Sequence, residues 1–401
     1  TTQISHIIGI AELDLVSTLA WEGLDSQLTD FHPPFPILEN DLAYILYTSG
    51  STGNPKGIMH THSSGLNYAR LTADLYQITE ADVIGNHAPI FFDISTLGYF
   101  TAPLVGACTV IASDAHTIFP ESLSQLIEKE QVTIWYSVPL ALIQMVQNGA
   151  LHGRNMHALR WVLYAGEPFP PKHLRSLMNI WTTTQFSNVY GPTELNQCTF
   201  YTIPRPLLVE EAIPIGKVWG NTEKVILDET DREVTTAETP GELCVRSGTM
   251  MKGYWQQPTL TEKSFYKRRN NVGFNDIFYR TGDLVQLDQN GLLHFLGRKD
   301  HQIKIRGYRV ELSGIESTLI NHDAVAEAAV FPIKEDGKIV RIAAAVILKP
   351  TVDLAARELR TYLKGRLPSY AVPESISIVA SFPRTSTGKI KRLALAENIR
   401  Y

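Results

Sequence analysis

The chain has 401 residues, 44% of them hydrophobic and 19% charged, with a formal net charge of −5, which is enough to bury a large core across more than one domain. That charge offers no basic footprint for nucleic acid or an anionic lipid surface, no apolar run approaches the roughly 18 residues of a membrane span, and Thr1 onward lacks a charged start leading into an apolar signal core. Cys108, Cys198 and Cys244 show no metal-ligand spacing and cannot all pair, which predicts a reducing, cytoplasmic setting.

In chain order, the apolar run 42–47 reads as a buried strand that empties into Thr48-Ser49-Gly50-Ser51-Thr52-Gly53-Asn54-Pro55-Lys56-Gly57. A backbone rich in glycine and hydroxyls, with one lysine, comes close enough to a polyphosphate to wrap it. It is not a Walker loop, because Gly57 rather than Ser or Thr follows Lys56. Runs at 105–112, 132–138, 161–165 and 224–227 read as strands, separated by helical patterns at 121–129 and 171–180. Their alternation predicts parallel sheets covered by helices. Segments 241–246, 284–287 and 292–296, with a turn at 288–291, predict an antiparallel, hairpin-rich piece. Beyond residue 300, strands at 324–331, 342–348 and 376–379 surround helices at 314–321 and 354–366. There is no internal repeat.

Five further motifs follow the phosphate-type loop: Tyr190-Gly191-Pro192-Thr193-Glu194, Gly241-Glu242-Leu243, Tyr279-Arg280-Thr281-Gly282-Asp283-Leu284, Gly297-Arg298-Lys299-Asp300 with Ile303-Lys304-Ile305-Arg306-Gly307, and Pro383 through Gly388-Lys389. In this order, over nearly the whole chain, they resemble the adenylate-forming enzymes, the superfamily of acyl-CoA ligases, luciferases and peptide-synthetase adenylation domains. The resemblance implies an α/β fold: a large N-terminal domain, residues 1–299, of helix-covered parallel sheets plus a small antiparallel β-barrel-like subdomain, and a small mobile α+β domain, residues 300–401. It also implies ATP and Mg²⁺. The family's opening segment has no counterpart here, and no carrier domain precedes the chain end, which implies a discrete enzyme that meets its carrier in trans.

The same resemblance implies residue roles. Thr48, Ser49, Gly50, Ser51, Thr52, Gly53 and Lys56 would wrap the phosphates. Glu194 would ligate Mg²⁺, which prefers one or two carboxylates plus substrate phosphates, and Thr193 would hydrogen-bond the α-phosphate. Tyr190 would stack on adenine, with Gly166, Glu167, Asn188 and Gly191 around the base. Asp283 would accept both ribose hydroxyls, a task suited to a carboxylate with two oxygens, and Arg298 would reach ribose and phosphate. Lys389 would bridge substrate carboxylate and phosphate, Asp300 would be the hinge, and Gly307 would line a tunnel for a phosphopantetheine arm.

Asp93 decides the substrate class. An aspartate among aromatics in Phe91-Phe92-Asp93-Ile94-Ser95 is costly unless paired, and in amino-acid-activating members this position binds the α-ammonium; a helix-capping aspartate is the plainer alternative. The pocket carried over by motif is Ile94, Leu97, Leu140, Leu163, Ala165, Val189, Gln197 and Cys198. It is mostly aliphatic and has no countercharge for an ionic side chain, which predicts a small apolar amino acid. The lining looks most similar to discrete prolyl ligases that load a carrier protein. Other small amino acids including D-alanine, an acyl-CoA ligase, and a catalytically silent nucleotide-binding module are the alternatives. No nucleic-acid or membrane partner is expected.

Overall fold

The computed structural model describes residues 6–8, 17–19, 36–48, 55–207, 213–269, 273–299, 302–335, 338–350, 352, 354–383, 390 and 395–396. Two compact units divide the chain, Thr1–Asp41 and Leu42–Tyr401. In the first, His6–Ile8 pairs parallel with Ser17–Leu19; the second holds the remaining elements.

The centre of the second unit is a seven-stranded sheet in the order Lys217–Val218, Thr199–Thr202, Gln185–Tyr190, Trp161–Tyr164, Ile134–Ser137, Val83–Asn86, Cys108–Ile111. The last five run parallel, and the first two are added antiparallel. Helices Pro120–Lys129, Pro139–Asn148 and Pro171–Ile180 each start on a proline, whose missing N–H would lack a helical partner there in any case. Each also carries buried apolar residues three or four apart, such as Leu123 and Ile127, Leu142 and Met145, or Leu174 and Leu177. These stripes close over Trp135, Val162 and Phe186 in one core. Gly85 makes room for that core, since a Cβ there would stand 2.4 Å from the Trp135 indole.

Three expectations are corrected. The run 105–112 is not one strand, because Gly106 (φ +77) ends the helix Ala102–Val105 and only Cys108–Ile111 extends. The run 224–227 belongs to Thr222–Leu227 in an antiparallel sheet rather than to the parallel set. The run 42–47 is not a buried strand: Leu42–Thr48 lies at the edge of a three-stranded antiparallel sheet, only Leu46 is buried, and Tyr47 is 58% exposed. An edge strand needs apolar residues on one face only.

The antiparallel piece is a five-stranded half-barrel in the order Thr222–Leu227, Gly241–Ser247, Asn275–Leu287, Phe265–Arg269, with Leu293–Arg298 also paired to Asn275–Leu287. Toward the C-terminus, Val325–Glu335 pairs antiparallel with Lys338–Leu348, which pairs parallel with Ser375–Ile378. Helices Leu312–Ile320 and Ala356–Lys364 cover this sheet through Ile315, Leu319, Leu359 and Leu363. No helix among the described residues is long and apolar enough to cross a membrane.

One ionic knot ties the helix His62–Tyr76 to the parallel sheet. Asp82 accepts from Arg160 Nε at 2.8 Å, Arg160 Nη2 at 2.7 Å, Thr133 Oγ1 at 2.7 Å and the Thr79 amide at 2.9 Å. Arg160 Nη1 also reaches the Tyr76 carbonyl at 2.8 Å. Burial alone would raise the Asp82 pKa, but the bonds from Arg160, Thr133 and Thr79 outweigh it and hold the carboxyl below the usual range. The ionised form therefore stabilises the fold above the ordinary carboxylate pKa, and that contribution is lost as pH falls through the lower folded value. Asp82→Ala should cost about 3 kcal/mol, since it strands a partner that is partly buried. Urea unfolding at pH 7 checks this, and an unchanged midpoint would rule out the knot as a stabilising element.

Candidate active site

The loop that follows the strand Gln185–Tyr190 organises the site. It lies at the carboxyl edge of the parallel strands, where open α/β sheets place their ligands. Tyr190 pairs with Thr199 and accepts the Cys198 amide at 2.9 Å, so 191–197 double back over the sheet. Only glycine fits at 191: a Cβ would meet the Asn196 oxygen at 2.5 Å and Gln197 Cα at 2.6 Å. Within the loop, Thr193 Oγ1 donates to Asp93 Oδ2 at 2.7 Å. The fully buried Glu194 accepts the Tyr254 hydroxyl at 2.8 Å, and the Glu194 carbonyl accepts the Met251 amide at 2.8 Å. Asp93 opens a short turn, Asp93–Ser95, and its side chain spans 100 residues to reach Thr193.

His60 fastens this loop from below. Its Nε2 lies 2.9 Å from the Thr193 carbonyl and its Nδ1 lies 3.2 Å from Ser64 Oγ. Its ring stacks on Tyr44 at 4.8 Å. A carbonyl only accepts, so Nε2 carries a proton, and burial keeps the ring neutral. Burial pushes the pKa down to about 4, against smaller upward pulls from the Thr193 bond and the Glu194 charge. The sequence reading missed His60, although it shares the buried face of the strand Lys56–Thr61 with Ile58, two residues away.

A second knot stands beside it. Asp283 and Arg298 are register partners in the half-barrel, and Arg298 Nη1 donates to Asp283 Oδ1 at 2.5 Å. The Tyr190 hydroxyl donates to Asp283 Oδ2. Burial first, then the Asp283 charge, raises the Tyr190 pKa well above its ordinary range, so the phenol stays protonated. A cleft of about 330 Å³ opens here, with Lys56, Tyr254, Tyr279, Gly282 and Arg298 in its lining. The Asn188 amide donates to the Pro214 carbonyl at 2.8 Å.

Lys56, at the start of its strand, donates to Glu311 Oε1 at 2.5 Å, with both side chains largely buried. Beside it, Arg306 (φ +52) and Gly307 (φ +82) form the two-residue turn of the hairpin Gln302–Ile305 to Tyr308–Glu311, a geometry that needs positive φ at both positions. The Gly307 amide donates to Glu167 Oε1 at 2.7 Å, and Gly166 has positive φ (+100). A Cβ on Gly307 would collide with Val138 at 2.7 Å. Phe92 meets Tyr308 edge-on at 4.9 Å. Thus 92, 138, 166–167 and 307 converge.

Of the pocket residues carried over by motif, Ile94, Leu97, Leu163, Ala165 and Val189 pack together, in a cluster that also holds Tyr76 and Tyr136. Those tyrosines were not foreseen, because the helix that carries Tyr76 bears no family motif. Cys198 packs instead with Tyr190 and Tyr254, and Leu140 is half-buried at the start of its helix. Gln197 is buried beside Tyr76. Thr48 ends its strand opposite Lys56. Ser49, Gly50, Ser51, Thr52, Gly53, Asp300 and Lys389 lie outside the described residues.

Residues 2–255 match the family model of the AMP-binding enzymes, and residues 314–389 match that of the AMP-binding enzyme C-terminal domain. The chain belongs to the AMP-binding enzyme family and is an ATP-dependent ligase. It is 33% identical over 390 residues to an L-proline–[L-prolyl-carrier protein] ligase of Pseudomonas fluorescens, covering 96% of this chain and 74% of the relative. It is 35% identical over 364 residues to a ligase of the same name from Streptomyces coelicolor, covering 90% and 67%. Among solved structures it is similar to the Vibrio cholerae adenylation domain AlmE in complex with glycyl-adenosine-5'-phosphate, at 25% identity and a TM-score of 0.82 over 99% of this chain and 76% of that one.

Adenylation enzymes of this family use ATP with Mg²⁺. The buried Glu194 carboxylate, bonded by the Tyr254 hydroxyl that lines the cleft, is a donor that fits such an ion. A hard cation that draws most of its oxygens from phosphates and water needs little more.

Because His60 is neutral in the fold and protonates near pH 6.5 once unfolded, its contribution is present at neutral pH and is lost between about 6.5 and about 4. From pH 7 to pH 5 the chain should lose roughly 2 kcal/mol more than His60→Asn. Denaturant unfolding at both pH values tests this, and parallel losses would refute the buried neutral ring.

Proposed function

We propose that the chain activates a small amino acid, L-proline foremost, as its aminoacyl-AMP and then passes it to the phosphopantetheine thiol of a carrier protein. One observation carries the proposal: the Thr193 hydroxyl touches the Asp93 carboxylate at 2.7 Å. The residue suited to an α-phosphate therefore adjoins the residue suited to an α-ammonium, which is the juxtaposition a carboxylate needs to attack phosphorus. The proline ligases among its relatives support the choice of substrate, and the packed Ile94, Leu97, Leu163 and Val189 support a small side chain.

In the first step the substrate carboxylate oxygen bonds to the α-phosphorus of ATP, and the bond to the bridging oxygen breaks to release pyrophosphate. Positioning and charge neutralisation dominate such a reaction. Asp93 holds the ammonium, Thr193 orients the α-phosphate, and Asp283 with Arg298 fixes the ribose. Glu194 would hold Mg²⁺, which would supply countercharge for the phosphates. Lys389 bridges the carboxylate and the phosphate. In the second step the carrier thiol attacks the acyl carbon and AMP leaves as the mixed anhydride opens. Residues 1–299 and 300–401 act as two domains that re-orient about Asp300 between the steps, and Gly307 leaves room for the pantetheine arm. Cys108, Cys198 and Cys244, which form no disulfide with one another, accord with a cytoplasmic setting.

Amino-acid-dependent ATP–pyrophosphate exchange across the common amino acids tests the proposal. Exchange should centre on small side chains with L-proline foremost. A D-alanine optimum would keep the mechanism and change the substrate, and the absence of exchange with every amino acid would sink the proposal. Asp93→Ala should abolish exchange while ATP still binds, as read by nucleotide-dependent thermal shift. A cation about 4 Å from unit negative charge contributes ~4 kcal/mol at an effective dielectric near 20. Lys389→Ala should therefore slow adenylate formation roughly a thousandfold and spare thioester formation from supplied adenylate; equal losses in both steps would remove its assigned role.

A further inference from the structure

We propose that Glu311 is a latch between the two steps: it takes the Lys56 ammonium that a polyphosphate holds in the first step, so that pyrophosphate and the seated hairpin 302–311 exclude each other. This rests on the two-step reading above and says what orders the steps. Lys56 and Glu311 stand 255 positions apart in the chain, yet their side chains pair at 2.5 Å with only 12% and 2% exposure. Lys56 belongs to the glycine- and hydroxyl-rich run 48–57 and lines the cleft of about 330 Å³. Its Nζ stands 5.9 Å from the centre of the Tyr254 ring, and the Tyr254 hydroxyl bonds Glu194. The ammonium is thus presented where phosphates are expected, and a carboxylate of the hairpin occupies it.

Charge makes the two occupants incompatible. A polyphosphate carries several negative charges, and one ammonium cannot neutralise both it and a carboxylate. With phosphates at Lys56, the buried Glu311 would lose that cation and face further anions, a costly arrangement where water does not screen them. Glu311 cannot withdraw alone. It ends the strand Tyr308–Glu311, held in register with Gln302–Ile305. At the turn of the same hairpin the Gly307 amide donates to Glu167 Oε1 at 2.7 Å, and Tyr308 meets Phe92 edge-on. The hairpin therefore leaves as a unit, and Gly307 parts from 166–167 with it. Once pyrophosphate has gone, Lys56 is again open to Glu311, whose return seats Gly307 for the second step. AMP has no β-phosphate to compete for Lys56 and leaves the pair intact.

Hydrogen exchange of the full chain at the Gly307 amide, read by mass spectrometry with Mg²⁺ and inorganic pyrophosphate, with AMP, or with neither, tests the latch. Pyrophosphate should speed hydrogen exchange there about tenfold, within the usual range of coupling between sites, and AMP should not. Coupling is reciprocal, so Glu311→Gln, which keeps the shape and removes the charge, should bind pyrophosphate about tenfold more tightly in titration calorimetry. The same variant should exchange fast at Gly307 without ligand and slow thioester formation from supplied adenylate. A purely structural role for Glu311 would not tighten pyrophosphate. If Glu311→Gln does not fold, pyrophosphate against AMP in the unaltered protein still decides. Gly307 hydrogen exchange that pyrophosphate leaves unchanged, or a Glu311→Gln that binds pyrophosphate no tighter, would overturn the latch even where amino acids support ATP–pyrophosphate exchange. Full latch behaviour with no amino acid supporting that exchange would overturn the amino-acid reading and keep the latch.

Discussion

Three carboxylates stand buried or half-buried around the loop 190–197, and the site depends on how each is held. Glu194 is bonded by the Tyr254 phenol, Asp283 by Tyr190 and Arg298, and Asp93 by Thr193. A buried carboxylate without such partners would take up a proton or unfold its surroundings. Three of these four donors are neutral hydroxyls rather than cations. Neutral donors satisfy oxygen lone pairs without cancelling the charge, which suits the roles proposed for Asp93 toward an ammonium and for Glu194 toward a magnesium ion.

The loop 190–197 can meet this demand because of where the sheet changes direction. Gln185–Tyr190 runs parallel to Trp161–Tyr164 on one side and antiparallel to Thr199–Thr202 on the other. The chain must therefore reverse within eight residues, and Gly191 permits the backbone to pass within 2.6 Å of where its Cβ would stand. His60 then pins the Thr193 carbonyl from the adjoining sheet. Its neutrality matters: an imidazolium there would draw on the same acids that the substrate needs.

Contacts from the hairpin 302–311 complete the surroundings. Lys56 to Glu311 and Gly307 to Glu167 join residues more than a hundred positions apart. Each such bond contributes only about 1–3 kcal/mol.

Much was legible in the sequence because it is encoded locally. Apolar periodicity marked the helix Pro171–Ile180 and the strand Trp161–Tyr164, since one buried face repeats along each element. Ordered motifs carried the chemistry, because phosphate contact needs particular residue types at fixed spacing. The runs 42–47, 105–112 and 224–227 were misjudged because edge position, a single glycine break and sheet membership are properties of partners, not of the run itself. Only tertiary structure could set Thr193 against Asp93, Tyr190 and Arg298 about Asp283, His60 beneath Thr193, and Gln197 beside Tyr76. Side chains separated by fifteen to more than a hundred residues meet only when sheet order and register bring them together, and whether a buried polar atom finds a partner is decided by that meeting alone.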